Sequence, residues 1–228
     1  MVPVLLQTME PTGRMATEQF DVLDSAGRRT GALVSRDDAH ATGAWHGAFH
    51  CLMIYRREGR GYALFQKRSA EKKIAAGKFD VSVGGHYAAG EDVRSAGPRE
   101  TSEELGLTVV FSDLVPLGRR VFVHEFAPGL SEREFQDVFL LPLENRPENL
   151  VLQEDEVEAV LEMELERGIE LFTGTIASTT GRLTGITGRE SSINLTSADF
   201  VPCEDRYYGR LLQLARRYLA GEREALLI

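Results

Sequence analysis

Residues 85–107 read GHYAAGEDVRSAGPRETSEELGL, and the fold turns on them. Gly85, Gly90 and Glu91 fall in an approach loop or first turn, while Arg99, Glu100, Glu103 and Glu104 fall on what the pattern predicts as one helix. Spacings of three and four bring helical side chains onto a common face, so Glu100, Glu103 and Glu104 project together. Like charges held this close repel one another. A divalent cation relieves that cost, and oxygen-only ligands suit Mg²⁺ or Mn²⁺. A solvated surface helix that binds nothing is the competing reading of the same glutamates. Two features favour the metal: Arg99 is placed to fix one glutamate from behind, and glycines at the entrance let backbone approach a ligand. Gly106 is a C-terminal cap before the apolar run 107–111.

Before this stretch, residues 20–23 and 30–34 flank a glycine-containing turn and predict a hairpin at the edge of the main sheet. Residues 36–45 lack a clean period and read as a loop or irregular helix. His40, His46 and His50 cluster here beside the only tryptophan, which marks a pocket better than scattered histidines would. Residues 48–55 and 61–67 pair as strands across the charged turn 56–60, and 79–83 is a further short strand. Arg68, Lys72, Lys73 and Lys78 form a basic cluster. It is either a solvated face or a source of charge-assisted bonds to phosphate.

After the acidic helix, 107–114, 119–126 and 134–141 read as strands, with Gly129 and 131–133 as a connecting turn. Residues 157–163 alternate as a strand and 165–172 have helical spacing. Residues 174–188 read as an appended hairpin turning at Thr180-Gly181, and 204–219 as an amphipathic final helix. Hairpins with helices laid on a sheet predict an α+β layered sandwich rather than a doubly wound parallel sheet.

At 228 residues the chain is expected to hold one domain over 18–228, including the hairpin region near 174–198 and the C-terminal helix, after an N-terminal arm over 1–17. That arm is either loose or laid across a partner in a homodimer. The formal charge of -9 argues against a general nucleic-acid binder. Two cysteines are too few for a disulfide framework. With no apolar stretch near the roughly 18 residues needed to span a bilayer, a soluble cytoplasmic protein is expected.

Residues 85–107 resemble the signature of the Nudix hydrolases: Gly85, five residues, Glu91, seven residues, then Arg99-Glu100-Thr101-Ser102-Glu103-Glu104-Leu105-Gly106-Leu107, with Thr101 where an aliphatic is usual. The resemblance implies a Nudix-type α/β/α sandwich with a mixed sheet, and a Mg²⁺- or Mn²⁺-dependent pyrophosphohydrolase. Its substrate would be a nucleoside diphosphate derivative or a related small molecule. It makes Glu100, Glu103 and Glu104, with Gly85, the metal ligands, and Arg99 the residue that orients a glutamate. Glu103, Glu104 or Glu156 would serve catalysis, Glu156 as a late-loop base. Arg68, Lys78 and His86 would bind substrate.

Further likeness covers 18–219 and is similar to the isopentenyl-diphosphate isomerase branch, through His40, His46, the turn 66–69 and Gly84-Gly85-His86. By that resemblance His40, His46 and His86, with Glu132 and Glu134, would hold a metal in the isomerases; here they are a relic, a pocket wall or a secondary metal site. The isomerases' essential cysteine falls at Gly84, which has no side chain to move a proton. Hydrolysis is therefore the expected activity. An isomerase using another acid–base pair and an inactive diphosphate sensor are the alternatives.

Overall fold

The computed structural model describes residues 18–228; the N-terminal arm over 1–17 lies outside the described residues. A nine-stranded mixed sheet runs in the order β11-β10-β9-β4-β3-β8-β7, with β5 paired to β4 and β6 to β3. These strands are β3 (His46–Arg57), β4 (Arg60–Arg68), β5 (Phe79–Asp80), β6 (Val83–His86), β7 (Val115–Ala127), β8 (Leu130–Pro142), β9 (Val157–Glu164), β10 (Thr179–Gly185) and β11 (Glu190–Leu195). All pairings are antiparallel except β3 with β8.

Strand β3 is apolar on both faces because both are covered. Leu52 and Ile54 enter a core with Leu161, Met163, Leu211 and Leu212, roofed by α3 (Leu165–Phe172) and α4 (Tyr207–Leu219). Phe49, Cys51 and Met53 enter the opposite core with Leu64, Val160 and Leu105 of α2 (Val93–Leu105). Helices on both faces of one mixed sheet make the predicted α+β sandwich. Among the described residues no helix is long and apolar enough to cross a membrane.

Four local readings are corrected. The hairpin of β1 (Gln19–Leu23) and β2 (Arg29–Ser35) forms a separate two-stranded sheet, not an edge of the main one. Residues 36–42 make a regular helix, α1 (Arg36–Thr42): Ser35 Oγ accepts from Asp38 N–H, and Gly43, at φ 65°, closes it. Residues 107–114 are a loop ending in a 3₁₀ turn (Phe111–Asp113), because Gly106 at φ 68° turns the chain and the Asp113 carboxylate accepts from Val110 N–H. Residues 131–133 belong to β8, leaving 128–129 as the turn.

The hairpin after α3 turns at 186–189 rather than at Thr180-Gly181, and through β9 it extends the main sheet. Gly181 is not a turn glycine. A Cβ there would sit 2.5 Å from Leu161 Cδ1 and 3.0 Å from the Glu162 carbonyl, so the glycine lets neighbouring strands approach.

Candidate active site: two acidic clusters across one strand

Helix α2 opens with a reciprocal cap between Asp92 and Ser95 and lies against β6. Its inner face carries Glu100 and Glu104, 7% and 3% exposed, whereas the Glu103 side chain is 51% exposed. Glycine is required opposite them: a Cβ on Gly85 would land on the Glu100 carboxylate. Arg99 gathers the group. Its Nε donates to Glu91 at 2.9 Å, Nη1 to Glu100 at 2.9 Å and to Glu103 at 2.8 Å, and Nη2 to the His86 carbonyl at 3.1 Å. Glu104 Oε2 accepts from the Gln66 amide and from Gly84 N–H, both at 3.2 Å.

Burial pushes the Glu100 carboxyl up to about 7, and burial together with the charge on Glu100 pushes Glu104 up to about 8. Two carboxyls one helical turn apart, both resisting ionisation, form a site that a hard divalent cation would stabilise. Glu100, Glu104 and the backbone at Gly85 are its donors, with Glu103 on the outer rim. The structure thus brings Glu91, Arg99, Glu100, Glu103 and Glu104 together.

The other side of β6 faces a cavity of about 340 Å³. Arg36, Arg68 and Lys72 bring positive charge to its wall, with Glu156 between them. Lys72 bonds to the Glu156 carboxylate, which Arg36 also approaches at 3.9 Å. Burial, then the charges of Arg36 and Arg68, lower the Lys72 ammonium to about 7. Arg68 donates to the Ile74 carbonyl and lies 3.8 Å from Asp80.

Lys78 is not among these groups. Its Nζ donates to the Ala198 carbonyl at 2.7 Å and lines a separate depression with Leu183 and Asn194. Among the cavity cations that sequence reasoning passed over as site residues are Lys72, which stood in the basic cluster, and Arg36, which carried no signal until α1 folded over the site.

Against the same cavity, four elements assemble a second, largely buried cluster. His40 comes from α1, His46 from the start of β3, His86 from the end of β6, and Glu132 and Glu134 from β8. Strand register does the work, pairing His46 with Glu134 and Ala48 with His86. One donor atom each from His40, His46, His86 and Glu132 lie within 4.8 Å of one another. His86 Nε2 bonds to Glu134 at 2.9 Å, so His86 belongs to this cluster while also lining the cavity. Phe20 of β1 packs on His46 and His86, ring centroids 5.0 and 4.8 Å away.

His40 Nε2, His46 Nε2 and Glu132 Oε2 are buried with no hydrogen-bond partner among the described residues. Such atoms are costly unless something coordinates them. His46 Nδ1 lies 2.8 Å from the Ala44 carbonyl, which fixes a proton there and turns the Nε2 lone pair inward. Burial lowers His40 to about 4 and His86 well below the usual imidazole range, so both rings are neutral and able to ligate. Burial and the neighbouring Glu134 raise Glu132 well above the usual range. Burial opposes ionisation of Glu134, but the adjacent His46 and His86 imidazoles, His86 within hydrogen-bond reach, prevail and hold it well below. This His/Glu cluster can coordinate a divalent ion, and imidazole with carboxylate suits Zn²⁺, Mn²⁺ or Fe²⁺.

Residues 44–174 match the NUDIX domain family. An uncharacterised Nudix hydrolase of Clostridium acetobutylicum is 31% identical over 204 residues, covering 87% of this chain and 97% of that one. An isopentenyl-diphosphate Delta-isomerase of Aliivibrio fischeri is 32% identical over 167 residues, covering 69% and 90%. A crystal structure of a Deinococcus radiodurans protein superposes with a TM-score of 0.52 at 21% identity, covering 69% of this chain and 90% of that one, a likeness of fold alone.

Proposed function

The chain belongs to the Nudix family, and from that premise we propose that it hydrolyses a diphosphate linkage in a nucleoside diphosphate derivative or related small molecule, using the α2 carboxylates on one side of β6 and the cavity cations on the other. Residues 18–228 act as one domain. The observation that carries the reading is the pair of buried carboxylates, Glu100 and Glu104, seated against the backbone of Gly84 and Gly85 beside a cation-walled cavity.

Glu100, Glu104 and the Gly85 backbone would hold Mg²⁺ or Mn²⁺, with Glu103 closing the rim. When bound, such an ion neutralises diphosphate charge and lowers the pKa of its water. Arg68, Lys72 and Arg36 supply charge-assisted hydrogen bonds to the phosphate oxygens. Arg99 keeps Glu100 and Glu103 in register. Water attacks phosphorus as the bridging P–O bond breaks. A carboxylate takes the water proton: Glu156, released from Lys72 when phosphate claims that ammonium, or Glu103 at the rim.

The Aliivibrio relative's name and the intact His/Glu cluster favour a place in the isomerase-like branch. At Gly84, however, there is no side chain to carry a proton to carbon, which supports hydrolysis over isomerisation. The test is a mass-spectrometric screen of nucleoside diphosphates, nucleotide sugars, dinucleotides, coenzyme A and prenyl diphosphates with Mg²⁺ or Mn²⁺, comparing the wild type with Glu104→Gln. Phosphate-containing products from the wild type alone are expected, and ¹⁸O from water identifies the attacked phosphorus. Allylic isomers without phosphate release, or equal rates in both proteins, would overturn the reading.

A further inference from the structure

The deep end of the cavity is walled by polar groups, and almost all of them are committed to one another. Tyr208 donates to Asp80 at 3.0 Å. Arg120 donates to both oxygens of Asp205 at 2.7 and 2.9 Å, and to the Gln136 carbonyl at 2.7 Å. The Gln136 amide in turn donates to Glu134 at 2.5 Å. Only one ring breaks the pattern. His50, 8% exposed, has Nδ1 3.2 Å from the Tyr207 hydroxyl, while its Nε2 meets no partner among the described residues.

Strand pairing decides where Nε2 points. His50 stands directly across from Gly84 on the cavity side of β3 and β6, and a Cβ built on Gly84 would lie 3.7 Å from His50 Nε2. All of that Cβ's nearest neighbours, Val81 and Gln66 included, sit at 3.7 Å or beyond, so glycine leaves ordinary van der Waals room there. The space beside Nε2 can admit one ligand atom. Burial lowers the His50 imidazole below its usual range, so the ring is neutral and Nε2 has one hydrogen-bonding role to fill.

We propose that His50 is a specificity-determining residue whose Nε2 hydrogen-bonds an oxygen on the group carried by the diphosphate, so that the enzyme selects diphosphates of hydroxyl-bearing groups, sugars or nucleosides, over hydrocarbon chains. The inference rests on the diphosphate reading above. A hydroxyl suits either tautomer of His50, because it can both donate and accept. A hydrocarbon chain in the same place would strip water from Nε2 and return nothing, the situation in which a buried polar group discriminates most strongly. Tyr207 is the positioning residue, stacked under the Arg120 guanidinium with its ring centroid 4.0 Å from Cζ, and it holds the imidazole in place through Nδ1.

The test uses methylene-bridged ligands, which cannot be cleaved, so binding is read whether or not the protein hydrolyses anything. In Mg²⁺ buffer, calorimetry compares bare methylenediphosphonate with its nucleoside, glucosyl and isopentenyl derivatives. For the wild type, the nucleoside or glucosyl derivative is expected to bind about tenfold or more tighter than the bare head group. His50→Ala should erase that gain while leaving the bare diphosphonate unchanged, and His50→Gln should recover part of it. Gly84→Ala, which fills the space without a clash, should also erase it. Three results would overturn the proposal: no gain in the wild type, a gain that survives in His50→Ala, or tightest binding of the isopentenyl derivative. If His50→Ala weakens the bare diphosphonate as well, Gly84→Ala decides, and a gain retained there overturns the proposal.

Discussion

The two faces of β6 handle buried charge in opposite ways. On the α2 face, Glu91, Glu100, Glu103 and Glu104 each accept from a protein donor: Arg99, Gln66, Gly84 N–H or Ala88 N–H. On the cavity face, His40 Nε2, His46 Nε2 and Glu132 Oε2 have none among the described residues. Every carboxylate of the first cluster already accepts a hydrogen bond, so a cation there would have to fit among existing bonds and could exchange with substrate. The second offers donor atoms that no described residue engages, so an ion there would supply bonds the described residues do not. A labile site suits turnover, and a completed one suits architecture.

The largest test of this contrast removes one carboxyl from the first cluster. Glu104→Gln is expected to lower kcat about 100- to 1000-fold, the scale of losing one electrostatic contact to a transition state, with the thermal stability of the metal-free protein little changed, because burial and Glu100 already hold that carboxyl largely protonated at neutral pH. His46→Ala should instead abolish one tightly bound equivalent of Co²⁺, read from its visible absorption. It should cost melting temperature in the loaded protein and affect kcat far less than Glu104→Gln. A comparable collapse of kcat would erase the distinction between the sites. Lys72→Met is expected to raise KM about tenfold, the worth of a hydrogen bond to a charged group, with a smaller change in kcat.

The smallest effect is in pH. Glu100 and Glu104 titrate near 7 and 8 in the folded chain, above the ordinary glutamate value of 4.5. The folded state therefore binds more protons than the unfolded one across that interval. Their contribution to stability is complete below the ordinary range and fades as pH rises through 7 and 8. Lys72, lowered to about 7, runs the other way above that point, because the unfolded chain then holds the extra proton. The buried histidines, lowered by burial, run the other way below the ordinary imidazole range, so the carboxyls are isolated by difference. Against Glu100→Gln/Glu104→Gln, in which the histidines are unchanged, the metal-free protein should lose melting temperature from pH 5 to pH 7. Mn²⁺ should restore more at pH 8 than at pH 6. A difference between the two proteins that stays flat from pH 5 to pH 7 would show these carboxyls to be ordinary.

The same contrast explains what the chain disclosed before folding. The carboxylate cluster was legible because it is local: Glu100, Glu103 and Glu104 lie on one helix, where spacing alone predicts proximity. The histidine cluster was named only through a resemblance, because α1, β3, β6 and β8 meet there by strand register rather than by spacing. Lys78 was chosen for charge and adjacency, yet immediately before β5 it reaches out to the Ala198 carbonyl, while Lys72, six residues earlier, bonds to Glu156 in the cavity wall. Among elements, central strands and the final helix were readable from apolar pattern, and α2 from the spacing of its glutamates. Gly181 misled because a glycine that admits a neighbouring strand looks, in a string of letters, like one that turns the chain. His50 was visible as a histidine in an apolar run, but only its pairing with Gly84 gives it an object.

Gly84 and Gly85 leave β6 as a bare ribbon of backbone between two chemically distinct compartments. A side chain on the first would stand beside His50, and one on the second would land on the Glu100 carboxylate. One substitution, moved by a single position along the strand, therefore addresses two different neighbourhoods.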